Sequence, residues 1–515
     1  MELKVNHEVL TATEVVFDGM QEQSVELDYL LPDYYPDIFK IIKCIMKPRI
    51  LSYSVNGSKV TCEMSVCIKV MYCSETGSGV RCIDQKLNYS KIIDIGRTAE
   101  NPVVSCTART DYVNCRAVSQ KRLDIRGAVS IKLKVSADVR QEVVSDAFGM
   151  GIQLKKRPVT FAAAKLHATK LISISEELDL GMSKPALSEV IRSDAVIASY
   201  DKKIIANKLI VKGEAYVNLL YSCTKEGADA LEAMQFMLPF SQIIDMEGVD
   251  QRFECFIGIT VTSCEVTPSG DEERKKLQCE LSMMIACRAY RTASVNLVSD
   301  AYSTACACES RYSAVRIESA PIAINETLPS KTSIEYKDGE IRCIYDAWSS
   351  VHSLSSRMNS EDGSLMISGS LLYCVMVKSA SGAPAMLEKE VTFEFAAEAS
   401  GLTPDSSFDG SAYSVSCSYN LVSTSTVDVK SEIRLSGIIL NISTENAVSA
   451  VEADEEAKAK RDGDYALKLY YAQDDEDIWE IAKKYLTSVA AIQEENQLDG
   501  DLLTEGRMLL IPMVD

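Results

Sequence analysis

His7, His167 and His352 are the only histidines in the 515 residues, and no shared motif joins them. The sequence has no Gly-x-Ser-x-Gly nucleophile elbow, no Gly-x4-Gly-Lys phosphate loop and no His-Glu-x-x-His metal helix. General-base, phosphoryl-transfer and zinc-hydrolytic chemistry therefore lack carriers, and the chain reads as non-enzymatic with no cofactor. The 17 cysteines are the next reactive candidates. They form no Cys-x-x-Cys pair, and the nearest couple, Cys306 and Cys308, has no second half for a zinc site. Cys62 falls in phase with Val60, Met64 and Val66, and Cys279 and Cys287 with Leu277, Leu281 and Ile285. That spacing predicts buried thiols packed as small hydrophobes, not metal ligands. What remains is chemistry of recognition: three adjacent carboxylates, Asp475, Glu476 and Asp477, two residues before an aromatic, Trp479.

The elements around these groups are mostly strands. In KVTCEMSVCIKVMY the residues Val60, Cys62, Met64, Val66, Ile68, Val70 and Tyr72 alternate with a mostly polar set, the signature of a strand with one buried face. The register returns in KLIVKGEAYVNLLY, from Leu209 to Tyr221, and in SLMISGSLLYCVMV, from Leu365 to Val377. Aligning Tyr72, Tyr221 and Tyr373 gives spacings of 149 and 152 residues. Second strands beginning at Leu123, Leu277 and Val427 follow those tyrosines at offsets of 51, 56 and 54. Pro36 and Pro185 each precede their tyrosine by 36 residues, and each is expected to open a short apolar-periodic helix; the third copy has no such proline. The expectation is a mainly β chain of three tandem sandwich or barrel-like repeats, 1–165, 166–310 and a diverged 311–446, with polar turns at 74–79 and 267–273. A charged stretch, 447–464, reads as a solvated linker, with a short helix as the alternative, and either tethers the last module loosely.

Residues 465–515 change period to strand, helix, helix, strand. Ile478, Ile481, Ala482 and Tyr485 stand at i, i+3, i+4 and i+7, one buried helix face. Asp477 is placed to cap this helix, with Glu480 three residues on completing a capping-box pattern, and Thr487-Ser488 starts the second helix. Four basic residues face eleven acidic ones in this segment, a net −7. Such a surface suits a basic protein patch, or it merely solvates a small domain. Trp479, beside the core stripe, reads first as a half-buried helix residue and otherwise as a sugar platform or interface anchor.

IWEIAKKY (478–485), Asn496 and TEGRMLLIP (504–512) resemble the LysM family, a βααβ module that commonly binds chitin or peptidoglycan. The family usually has Gly-Asp-Thr where this chain has Asp475, Glu476 and Asp477, so a glycine free to take positive φ is missing. By that resemblance the binding loops hold Asp475, Glu476, Asp477 and Trp479 on one side and Asn496, Asp499, Gly500 and Leu502 on the other. The larger pattern, strand-rich repeats with an LPDYYPDI lead-in followed by one LysM, resembles spore coat assembly proteins of the SipL type, whose repeats are DUF3794 or SPOCS domains. The resemblance implies an adaptor in the mother-cell cytoplasm at the forespore surface, whose LysM docks onto a coat-morphogenetic ATPase while the repeats engage other coat proteins.

The charge and hydropathy agree with that setting. With 54 basic and 74 acidic residues the net charge is −20, which repels nucleic acid. No window approaches the roughly 20 apolar residues needed to span a bilayer, and the N-terminus lacks a basic region followed by an apolar core. The chain is expected to be neither secreted nor membrane-inserted, with its cysteines reduced. A peptidoglycan-binding protein of the cortex or cell wall is the competing reading.

Overall fold

The structure, a computed structural model, describes residues 3–74, 79–225, 228–270, 272–458, 466–498, 500–503 and 505–513. The first unit runs β1 (Lys4–Leu30), β2 (Ile38–Asn56), β3 (Lys59–Ser74), β4 (Val80–Asp94), β5 (Val103–Ser119) and β6 (Arg122–Phe148). Its two antiparallel sheets have the orders β2-β3-β4 and β1-β6-β5. The central strands β3 and β6 face each other, and Val60, Cys62, Met64, Val66, Leu123, Ile125, Ile131 and Leu133 fill the space between. Each central strand alternates because it shows one face to that core, so this unit is a sandwich.

The second unit repeats the plan with β7 (Ile152–Asp179), β8 (Glu189–Ile205), β9 (Lys208–Lys225), β10 (Ala228–Asp245), β11 (Glu254–Pro268) and β12 (Lys276–Ser303), in the orders β10-β9-β8 and β11-β12-β7. In the third unit the long outer pair is broken in two. β13 (Cys306–Glu318) pairs with β20 (Ile442–Lys458), and β14 (Ile322–Glu335) continues against β19 (Thr426–Leu440). The rest of that unit is β15 (Ile341–Met358), β16 (Leu365–Ser379), β17 (Pro384–Ala397) and β18 (Ser407–Leu421). Unit junctions therefore fall at the turns 149–151 and 304–305, whereas the expected boundaries at 165/166 and 310/311 cut through β7 and β13.

The residues after Pro36 and Pro185 are strands β2 and β8, not helices. The pairing of β2 with β3 slips at 38/40 and 41/43, and that of β8 with β9 at 190/192. Each bulge inserts one residue, so apolar positions such as Ile38, Ile41, Ile42 and Ile45 fall three or four apart and imitate helical spacing. The charged stretch is strand β20 up to Lys458, held by pairing with β13; residues 459–465 lie outside the described residues. The third-copy tyrosine is also out of step. Lys43↔Met71, Arg192↔Leu220 and Asp346↔Met376 are the pairs after equivalent bulges, which makes Val377 the counterpart of Tyr72 and Tyr221. The Tyr72 and Tyr221 hydroxyls donate to the carbonyls of Pro36 and Pro185, both at 3.2 Å. Tyr373, four residues early, donates to the Ser330 carbonyl at 3.0 Å.

The units meet through matching residues. The bulge residues Ile42, Ile191 and Tyr345 cluster with Met71, Leu220 and Met376. Away from this cluster, Leu10, Val159 and Val315 pack with Val143, Leu297 and Ala447, and Val144, Val298 and Val448 follow. Like residues from three copies in mutual contact define a pseudo-threefold arrangement. Ion pairs tie the copies together: Lys47 with Asp194 at 3.1 Å, Lys43 with Glu388, and buried Arg192 with Asp346 at 3.0 Å. The Arg192 guanidinium also lies over Trp348, 4.4 Å from the ring centroid.

The thiols sit where the strand phase put them. Cys62, Cys279 and Cys287 are at most 1% exposed within the cores of the first two units, and burial pushes the Cys287 thiol up to about 12. The terminal module consists of β21 (Leu467–Ala472), α1 (Ile478–Tyr485), α2 (Val489–Asn496) and β22 (Arg507–Pro512). Its core is Ile478, Ile481, Ala482, Ile492, Leu509 and Ile511.

Candidate binding surface of the terminal module

Local chemistry fixes this module. Asp477 is extended at φ −78° and accepts from the Trp479 backbone N–H at 2.9 Å, the expected N-cap. Ser488 caps α2 by accepting from Ala491 N–H at 3.1 Å. Asp475 takes φ +61°, the conformation a family glycine would supply, and aspartate is among the side chains that tolerate it best. The loops close on each other: Asp475 N–H donates to Leu503 O at 2.9 Å and Ile478 N–H to Asp501 O at 2.9 Å.

The eight candidate residues separate into distinct roles. Asp475 and Gly500 are exposed, and Leu502 is 65% exposed. Glu476 turns inward: one oxygen accepts from the Tyr470 hydroxyl at 2.7 Å and the other from Gln473 N–H at 3.0 Å. Asn496 is a staple and not a free ligand group. Its amide donates to Ile492 O at 2.8 Å and to Leu510 O at 2.6 Å, while its oxygen accepts from Leu510 N–H at 2.7 Å. Asp499 lies outside the described residues.

Trp479 is 6% exposed, because the module rests on the tip of the second unit instead of hanging from a loose tether. Tyr302, at the end of β12, meets the indole edge to face with centroids 4.9 Å apart and donates its hydroxyl to Thr487 O at 2.6 Å. Asp300 accepts from the indole N–H at 2.8 Å, from Lys483 at 2.7 Å and from the Tyr312 hydroxyl at 2.6 Å. Lys155 on β7 pairs with Asp477. Burial disfavours the Asp300 carboxylate, but the Lys483, Tyr312 and Trp479 donors outweigh it and hold its pKa below the ordinary value. No local motif marks Asp300, Tyr302 and Lys155 as partners of the terminal module. The signal present is a repeated tetrapeptide, SDAF at 145–148 and SDAY at 299–302.

Docking through α1 leaves the outer face of the two-stranded β21–β22 sheet open. Leu469 pairs with Leu510 and Tyr471 with Met508, so these four side chains share that face. Leu467, Leu469, Tyr471 and Met508 are 43%, 65%, 65% and 56% exposed. On the opposite face Ala472, Leu509 and Ile511 are buried.

Three fused strand-rich units carrying one small βααβ module with an open apolar face define a multidomain β-sandwich protein with a small appended α/β module. The family comparisons agree. The family described as SipL, SPOCS domain matches residues 37–133 and 187–268, and the LysM domain family matches 470–512. The chain thus has the SipL-type architecture, that of a sporulation-associated protein, and both families are non-catalytic binding modules. The matched SPOCS segments fall in the first two units. Searches of curated proteins and of solved structures found no match. No helix among the described residues is long and apolar enough to cross a membrane.

Proposed function

We propose that this chain is a non-enzymatic adaptor of spore coat or envelope assembly, acting in the mother-cell cytoplasm at the forespore surface. Its LysM module docks onto a coat-morphogenetic ATPase, and the SPOCS units gather other coat proteins. The observation that carries this reading is the open face of the β21–β22 sheet. An exposed apolar strip of Leu467, Leu469, Tyr471 and Met508 on one sheet face has the composition of a protein interface core. The same polypeptide covers Trp479, the residue best suited to stack on a sugar.

The LysM match itself favours a second reading, binding of peptidoglycan. A pull-down with the full chain separates the two. Retention on the ATPase, lost in the Leu469→Glu/Tyr471→Glu variant, supports the adaptor. Retention on purified peptidoglycan without retention on the ATPase overturns it.

A further inference from the structure

The tip that holds the LysM module exists in more than one copy. Ser145-Asp146-Ala147-Phe148 ends β6 as Ser299-Asp300-Ala301-Tyr302 ends β12. The backbone is built alike. Asp146 accepts from Ala147 N–H at 2.9 Å and Asp300 from Ala301 N–H at 2.9 Å. The Ser145 hydroxyl donates to Asn6 O at 3.4 Å and the Ser299 hydroxyl to Lys155 O at 3.1 Å. The preceding Val144 and Val298 share one cluster. Tyr302 is 4% exposed under the module, whereas Phe148 stands 55% exposed.

We infer that the first-unit tip, Asp146 with Phe148, is a docking site for the LysM module of a second copy of this chain. The chemistry of the partner is set by the dock already formed: an indole for the aromatic ring and an ammonium, Lys483, for the carboxylate. Asp146 now pairs with Lys156 at 2.6 Å. Asp300 shows that a carboxylate in this position accepts from three side chains at once, and a carboxylate has about four lone-pair sites. The site is the weaker of the two. Phe148 has no hydroxyl for the Thr487 carbonyl, and Asn6 stands where Lys155 pairs with Asp477. One lost hydrogen bond is on the order of tenfold in affinity, so the association is concentration-dependent. Because Trp479 and Lys483 are held by Tyr302 and Asp300 of their own chain, the module leaves that tip when it docks on the first-unit tip of the next chain, and this heterologous exchange closes into a ring or runs on as an open chain according to the rotation between copies. The inference is independent of what the open β21–β22 face binds.

The test replaces Phe148, a surface side chain, with a benzophenone amino acid in the full-length protein and irradiates a concentration series. The expected product has twice the chain mass, grows with concentration and carries its cross-link within 478–487. Tyr302→Ala, which loosens the internal dock, raises its yield. Phe148→Glu, followed by sedimentation velocity, lowers self-association about tenfold or more. Absence of a cross-linked dimer, a link to any other region, or a link confined to a single chain overturns the inference.

Discussion

Asp300 gathers an indole, an ammonium and a phenol at one carboxylate, and so ties the orientation of the terminal module to one side chain. The chain has two tryptophans, Trp348 and Trp479, so a Trp348→Phe background lets indole emission report the dock alone. Asp300→Ala in that background should shift emission to the red and raise acrylamide quenching. Each charged hydrogen bond lost is worth about 1.5–3 kcal/mol. The pH dependence has a definite sign. Because the docked Asp300 has a depressed pKa, its contribution is complete above the free carboxylate value of about 3.9, and is lost as pH falls through the docked value. Tryptophan emission followed from neutral to acidic pH should be flat down to about pH 4 and then move red; a transition near pH 6 would assign the dock to another group.

At the scale of elements, sequence periodicity was a good guide wherever a strand was regular. The strands holding Val60 to Tyr72 and Leu209 to Tyr221 follow the alternating pattern, as do the stripe of α1 and the cap at Asp477. The pattern misled at bulges, where an added residue shifts the apolar phase and β2 and β8 read as helix. It was also silent on Asn496, whose staple to Leu510 depends on how α2 crosses β22. Of the candidate site, the acidic loop was legible from composition. The cover over Trp479 was not, because its partners lie more than 170 residues away. Ile481→Ala, a fully buried truncation, should cost the module about 2–5 kcal/mol. Asn496→Ala should cost about 1–3 kcal/mol through the unpaired Leu510 amide. Chemical denaturation followed by tryptophan emission measures both.

For the whole molecule, the contact of Ile42, Ile191 and Tyr345 with Met71, Leu220 and Met376 makes the three units share one core in addition to their own. Leu220→Ala removes a fully buried side chain there and should lower stability by about 2–5 kcal/mol. Calorimetry of the variant should show the unit transitions separating, since the loss falls at the junction and not within a sandwich. If the units stay fused in a single transition, the outer clusters around Val143 and Val144 hold them together without it. The third corner is different in kind. Ala450 and Glu452 stand where the other units have aspartate followed by an aromatic. A trimer of identical single units would present three equal corners and have no way to tell one direction from another. Fusing the copies into one polypeptide allowed one corner to be taken, one to stand bare and one to carry a charge, which gives the particle a polarity that symmetry would have denied it.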